Sequence, residues 1–167
     1  MRRIVSDTGP IIHLMEAQAI SLLHLAGEVL IPAAVNEEMA DRDPSWAASK
    51  PTWIAVESVE PASGAESAAW QDAGLLHAGE AEAIALARQV RADWLLTDDA
   101  AARLFGEALG LEVHGSLGVV LWAAATGRLS GTEAEETLAR LAQSSLWLSR
   151  RVLAEARSAL AKMARRP

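Results

Sequence analysis

The run Trp94-Leu95-Leu96-Thr97 constrains this chain more than any other stretch. It is a short apolar segment between two alanine-rich helical patterns. That context marks a strand buried on both faces of a parallel sheet, with crossover helices on either side. Asp98 and Asp99 follow directly, so both carboxylates fall at the strand's carboxyl end, the edge at which open α/β sheets bind ligands. Adjacent carboxylates there repel each other and lose water, a cost that a divalent cation would relieve. Ile4-Val5 is a second strand-like pair, and it ends in Ser6-Asp7-Thr8-Gly9-Pro10, which puts Asp7 at another strand tip. If the two strands are central in one sheet, three carboxylates share a pocket.

The intervening sequence alternates in the same way. Gly9-Pro10 turns into a helix with Ile11, Leu14 and Met15 on one face, and Ser21 to Ala26 forms a further helical piece ended by Gly27. Glu28 to Ile31 reads as the second strand, closed by Pro32 before a helix from Ala33 to Ala40. In that helix Glu38 lies three residues beyond Val35 and shares its partly buried side, whereas Glu37 points elsewhere. Residues 41 to 51 read as a surface excursion, Thr52 to Val56 as a strand, Glu57 to Gly64 as a loop, and Ala65 to Gln71 as a short helix.

The strongest helical pattern runs from Glu80 to Val90. Glu80, Ala83, Ile84, Ala87 and Arg91 follow three-four spacing, so Glu80 opens the helix on its inward side. An unpartnered charge there would cost several kcal/mol, so Glu80 needs an arginine, a backbone donor or a metal ion. Glu82 fits an ordinary first-turn acid facing the helix dipole. Asp99 suits the cap of a helix from Ala100 to Leu109, which accounts for one of the two aspartates. Leu111 to His114 forms another strand, Leu117 to Ala125 a helix, Ser130 to Glu133 a capping box, and Ser149 caps a last helix that faces the body with Val152, Ala156, Leu160 and Met163. The expected architecture is a three-layer α/β/α sandwich around a central parallel sheet.

At 167 residues, 51% of them hydrophobic, the chain suits one domain over residues 1–167, with a basic C-terminal helix at about 149–164. Nothing resembles a membrane span or a signal peptide, and cysteine is absent; these features point to a cytoplasmic protein whose metal chemistry would use oxygen ligands. The net charge of −7 argues against broad adhesion to nucleic acid. From Leu146 to Pro167, however, six cations face the single acid Glu155, a net of +5. Read alone, such a run is a solvated helical face. It gains a polyanion-binding meaning only if the acidic pocket acts on a polyanion.

Five pieces in order, Ile4-Val5-Ser6-Asp7-Thr8, Ile31 to Met39, Gly79 to Ala87, Leu95-Leu96-Thr97-Asp98-Asp99 and Leu109 to Gly118, resemble the PIN-domain family, closest to its VapC-like branch. The resemblance runs from about Ile4 to Ala125. It implies a small α/β/α fold whose clustered acids bind Mg²⁺ or Mn²⁺ and cut single-stranded RNA, often as the toxin of a toxin-antitoxin pair. Asp7 matches the first-strand acid, Glu38 the acid of the helix after the second strand, and Glu80 the acid of the helix before the fourth strand. The last position is open, since Asp99 aligns with the common Thr-x-Asp pattern and Asp98 is equally near the strand end.

On this resemblance Asp7, Glu80, Asp98 and Asp99 are candidate metal ligands, and these with Glu38 form the candidate catalytic set. Thr8 and Thr97 could orient a ligand or water, although strand-end hydrogen bonding is their commoner role. Arg103, Arg150 and Arg151 are candidate RNA contacts. The resemblance also implies a homodimer and a cognate antitoxin protein as partners, and no membrane.

Three other readings compete. Asp7-Thr8-Gly9 also spells the aspartic-protease triplet, but that fold is nearly all strand and this chain is helical and alanine-rich. A metal-dependent phosphatase could use Asp7 as nucleophile. The chain lacks the Asp-x-Asp signature of haloacid dehalogenase phosphatases, and its only lysines are Lys50 and Lys162. A non-catalytic PIN-like interaction module would not need the acids that this sequence retains. The four histidines (13, 24, 77 and 114) show no pairing that suggests a metal site. The six tryptophans (46, 53, 70, 94, 122 and 147) read as core or interface rather than base-stacking platforms.

Overall fold

The computed structural model describes residues 1–165; Arg166 and Pro167, which close the basic segment, lie outside the described residues. Five strands form one sheet: β1 (Arg3–Ser6), β2 (Glu28–Ile31), β3 (Ile54–Val56), β4 (Trp94–Leu96) and β5 (Val113–His114). Their order is β3-β2-β1-β4-β5 and every pair is parallel. Ile4 pairs with Val29 on one side and with Trp94 on the other, so the two strands singled out in the sequence are central neighbours.

Side chains that alternate along these strands divide between two cores. Ile4, Val29, Ile31, Trp94 and Leu96 join one buried cluster, while Val5, Leu30 and Leu95 join another. The first is covered by α1 (Thr8–Glu16), α2 (Ser21–Ala26), α3 (Ala33–Arg42), α4 (Trp46–Ser49), α8 (Ser116–Ala125) and α9 (Gly131–Gln143). The second is covered by α6 (Ala78–Gln89) and α7 (Ala100–Ala108), with α5 (Pro61–Asp72) packed beside α6. The fold is therefore a three-layer α/β/α sandwich. Helix α10 (Arg150–Ala164) lies outside the sheet, where Ala156 and Leu160 meet Ala134 and Leu138 of α9 in a third, smaller cluster.

Three local expectations need revision. Residues 41 to 51 are not a plain surface excursion: they contain α4, whose Trp46 is 1% exposed and donates its indole N–H to Asn36 Oδ1 at 3.0 Å. The supposed loop before Gly64 is helical from Pro61, because proline is tolerated in a first turn that needs no N–H partner. Met15 is 37% exposed, so the buried face of α1 rests on Ile11 and Leu14.

Candidate active site

Connections run from β1 outward to β2 and β3, and the chain then returns past β1 to add β4 and β5. The carboxyl ends of β1 and β4 thus flank the topological switch point, where a crevice opens above the sheet. The backbone N–H of Asp7 extends the ladder by donating to Leu96 O at 2.9 Å, and that of Thr97 donates to His114 O at 3.0 Å.

Asp7 caps α1. Its Oδ1 accepts from Thr8 N at 2.7 Å and its Oδ2 from the Thr97 hydroxyl at 3.0 Å. The residue is only 7% exposed. Burial pushes its carboxyl up to about 7; the Thr8 and Thr97 hydrogen bonds oppose that rise, and the charges of Glu80 and Glu38 add to it. Thr97 Oγ1 also accepts from Asp99 N at 3.2 Å, so both threonine hydroxyls are engaged in strand-end and interhelix bonding.

Glu38 joins three elements. From α3 it accepts the Thr8 hydroxyl of α1 and the Gly79 N–H of α6, the latter at 3.0 Å. A β-carbon at Gly79 would stand 2.5 and 2.6 Å from the two Glu38 carboxylate oxygens, so only glycine admits this approach. Glu80, half-buried in the first turn of α6, satisfies its need for a partner with a backbone donor, His77 N at 3.0 Å. Glu82 does more than face its own dipole: it accepts from Ala34 N at 2.9 Å and so caps the start of α3.

The two adjacent aspartates have separate tasks. Asp98 Oδ1 accepts from Ser116 N at 2.7 Å, and its Oδ2 meets Ser116 Oγ at 2.6 Å and His13 Nδ1 at 2.7 Å. Burial would raise its carboxyl, but the hydrogen bonds from His13 and Ser116 outweigh that and hold it below its ordinary value. Asp99 is exposed and accepts from Ala102 N at 2.8 Å, the N-cap of α7.

Asp7, Glu38, Glu80, Asp98 and Asp99 all line one cleft of about 720 Å³, together with Asp41. Sequence reasoning missed His13, Arg42 and Trp147 on the same walls. The pairing of His13 with Asp98 spans 85 positions and has no local signature. The candidate RNA contacts Arg103, Arg150 and Arg151 are not among the lining residues. Arg103 reaches the Val113 carbonyl at 3.5 Å, Arg151 pairs with Glu155 at 2.9 Å, and Arg150 is exposed at the start of α10.

Among the described residues no three Asp, Glu or His side chains are grouped so as to hold a metal ion. The donor chemistry nevertheless suits a hydrated divalent cation. Mg²⁺ takes hard oxygen ligands, keeps several waters, and is held through one or two carboxylates rather than a closed protein cage. A desolvated Asp7 carboxyl, raised further by two neighbouring acids, is the group such a charge would relieve. A family model described as a PIN domain matches residues 3–162. No curated protein and no solved structure matches the chain.

Proposed function

The chain belongs to the PIN-domain family, and from that premise we propose that it is a divalent-metal-dependent endoribonuclease acting on single-stranded RNA. PIN domains are typically nucleases, bind nucleic acid and generally use divalent ions. The observation that carries the reading is the meeting of Asp7, Glu80 and the Asp98-Asp99 pair on one cleft, with the Asp7 carboxyl pushed up to about 7 by burial, and further by the Glu80 and Glu38 charges.

In this proposal Asp7, Glu80 and Asp99 hold Mg²⁺ or Mn²⁺. Once bound, the cation neutralises acidic charge and supplies Lewis acidity toward a phosphodiester. The chain's own residues do the positioning. Thr97 and the Thr8 amide fix the plane of the Asp7 carboxylate. Glu38 keeps α1, α3 and α6 in register beneath the acids. Asp98, with both oxygens taken by Ser116 and His13, orients the imidazole; its Nδ1 is occupied, which leaves Nε2 as the nitrogen available to the cleft.

We read residues 1–167 as one domain, and the packing of α10 on α8 and α9 supports this. The finer assignment is a VapC-like toxin, dimeric and cytoplasmic, held in check by a protein antitoxin. No described helix is long and apolar enough to cross a membrane. The test is cleavage of end-labelled single-stranded RNA with Mg²⁺ or Mn²⁺ by the natural chain and by Asp7→Asn. Loss of cleavage in the variant is expected; equal cleavage by both would reject the site. Turnover of a phosphomonoester with RNA left intact would favour the phosphatase reading.

A further inference from the structure

Trp147 departs from the packing of the other tryptophans. Trp46 and Trp94 are buried, Trp122 meets Trp94 edge-on, Trp70 meets Phe105 and Trp53 stacks on His24. Trp147 is 83% exposed, and it lines the same cleft as Asp7 and Glu80.

The segment that carries it is fixed on both sides. Ser145 donates its N–H and its hydroxyl to the two Glu16 carboxylate oxygens, both at 2.6 Å, and Leu146 N donates to Ser144 Oγ at 3.2 Å. Leu146 and Leu148 pack against the main core, and Ser149 caps α10 through Val152 N. With the residues before and after it turned inward, Trp147 is turned outward at the cleft rim. A single exposed hydrophobic residue is ordinary. An indole held in place beside a catalytic cleft by its anchored neighbours is the arrangement that stacking on a flat ligand requires.

The charge on this rim points to the ligand. Arg42 lines the cleft and lies near enough to Glu16 to help the Ser145 bonds hold that carboxyl ionised. Arg150 is outside the cleft lining but exposed, three positions after Trp147 at the start of α10. Aromatic faces beside cations suit single-stranded nucleic acid, whose bases offer a π-face and whose backbone is anionic. A paired duplex keeps its bases inside the stack.

We propose that Trp147 is a stacking platform for one base of a single-stranded nucleic acid entering the cleft, with Arg42 facing its backbone. This deepens the ribonuclease reading and rests on it for the identity of the strand. The test measures anisotropy of a short labelled single-stranded RNA, and of the same sequence as a duplex, with Ca²⁺ balancing the acids. The natural chain, Trp147→Ala and Trp147→Phe are compared, alongside RNA cleavage with Mn²⁺. Base stacking predicts that Trp147→Ala weakens single-strand binding roughly 5- to 150-fold. Trp147→Phe should retain most of the affinity, duplex binding should be unchanged, and all three proteins should melt alike.

Equal single-strand affinity for the natural chain and Trp147→Ala would overturn the proposal. So would a parallel loss on duplex, or a change confined to self-association in sedimentation. The two readings fail separately. Absent cleavage by the natural chain together with stacking-dependent binding would sink the ribonuclease and leave the platform. Cleavage with the same KM in Trp147→Ala would leave the ribonuclease and sink the platform.

Discussion

His13 Nδ1 stands 2.7 Å from Asp98 Oδ2, joining α1 to the end of β4. Because Asp98 is held ionised despite its burial, the imidazole nitrogen is the donor in this pair. Gly115 makes room for it, since a β-carbon there would lie 2.6 Å from Asp98 Oδ1. The carboxylate accepts three hydrogen bonds from two elements other than its own, and its side chain is 8% exposed.

Asp98→Asn should therefore cost about 2–4 kcal/mol at neutral pH, because an amide cannot accept at both positions and one buried donor loses its partner. The pH dependence follows from the lowered carboxyl. Its stabilisation is present above the ordinary value of 3.8 and fades as pH falls through the lower folded-state value. Urea midpoints of the two proteins should differ at pH 7 and converge as the medium becomes more acidic. A constant gap down to strongly acidic pH would contradict the assigned ionisation.

Asp7 behaves in the opposite sense. A carboxyl raised from 3.8 to about 7 carries no penalty below 3.8, destabilises the fold progressively as pH rises through about 7, and is level beyond it. That rise corresponds to on the order of 4 kcal/mol at most. Metal-free Asp7→Asn should melt higher than the natural chain at pH 8 and equal to it at pH 3. Adding Mg²⁺ should raise the melting temperature of the natural chain alone. Scanning calorimetry with and without chelator decides this, and a lower melting temperature for the variant at pH 8 would refute it.

Gly79→Ala provides a contrast with ordinary helix behaviour. In an exposed helix this change gains up to about 1 kcal/mol. Here the new methyl meets the Glu38 carboxylate, and the expected result is a loss of about 1–3 kcal/mol in denaturant unfolding. A stabilised variant would mean that Glu38 moves away freely and does not brace α6.

Much of this was legible in the sequence because the signals were local. The Trp94-Leu95-Leu96 run and the Ile4-Val5 pair show as strands from their own composition, and Asp7 and Asp98-Asp99 follow from strand ends. The Asp99 cap, the Ser130 box and the Ser149 cap are short-range patterns too. What stayed hidden depends on distant partners. Glu82 looks like a dipole acid until Ala34 arrives from 48 positions away, and nothing near His13 in the sequence announces its pairing with Asp98, 85 positions on. Trp46 reads as core or interface from its residue type, and the fold buries it, but its polar, proline-containing stretch gives no apolar period that would announce α4.

Trp46 supplies a further check. Trp46→Ala should cost about 3–5 kcal/mol, a core-sized penalty from a stretch that reads as a loop. A loss below about 1 kcal/mol in urea unfolding would show that α4 does not close the core.

Under the proposed function, carboxylates from separate elements share one cation above the switch point. Titration of Mn²⁺ by electron paramagnetic resonance tests it without any substrate, using the natural chain, Asp7→Asn, Glu80→Gln and Asp99→Asn. A shared cation requires saturable binding by the natural chain and at least roughly tenfold weaker binding by Asp7→Asn, with Glu80→Gln and Asp99→Asn also weakened. Identical Mn²⁺ affinity in the natural chain and Asp7→Asn would contradict it.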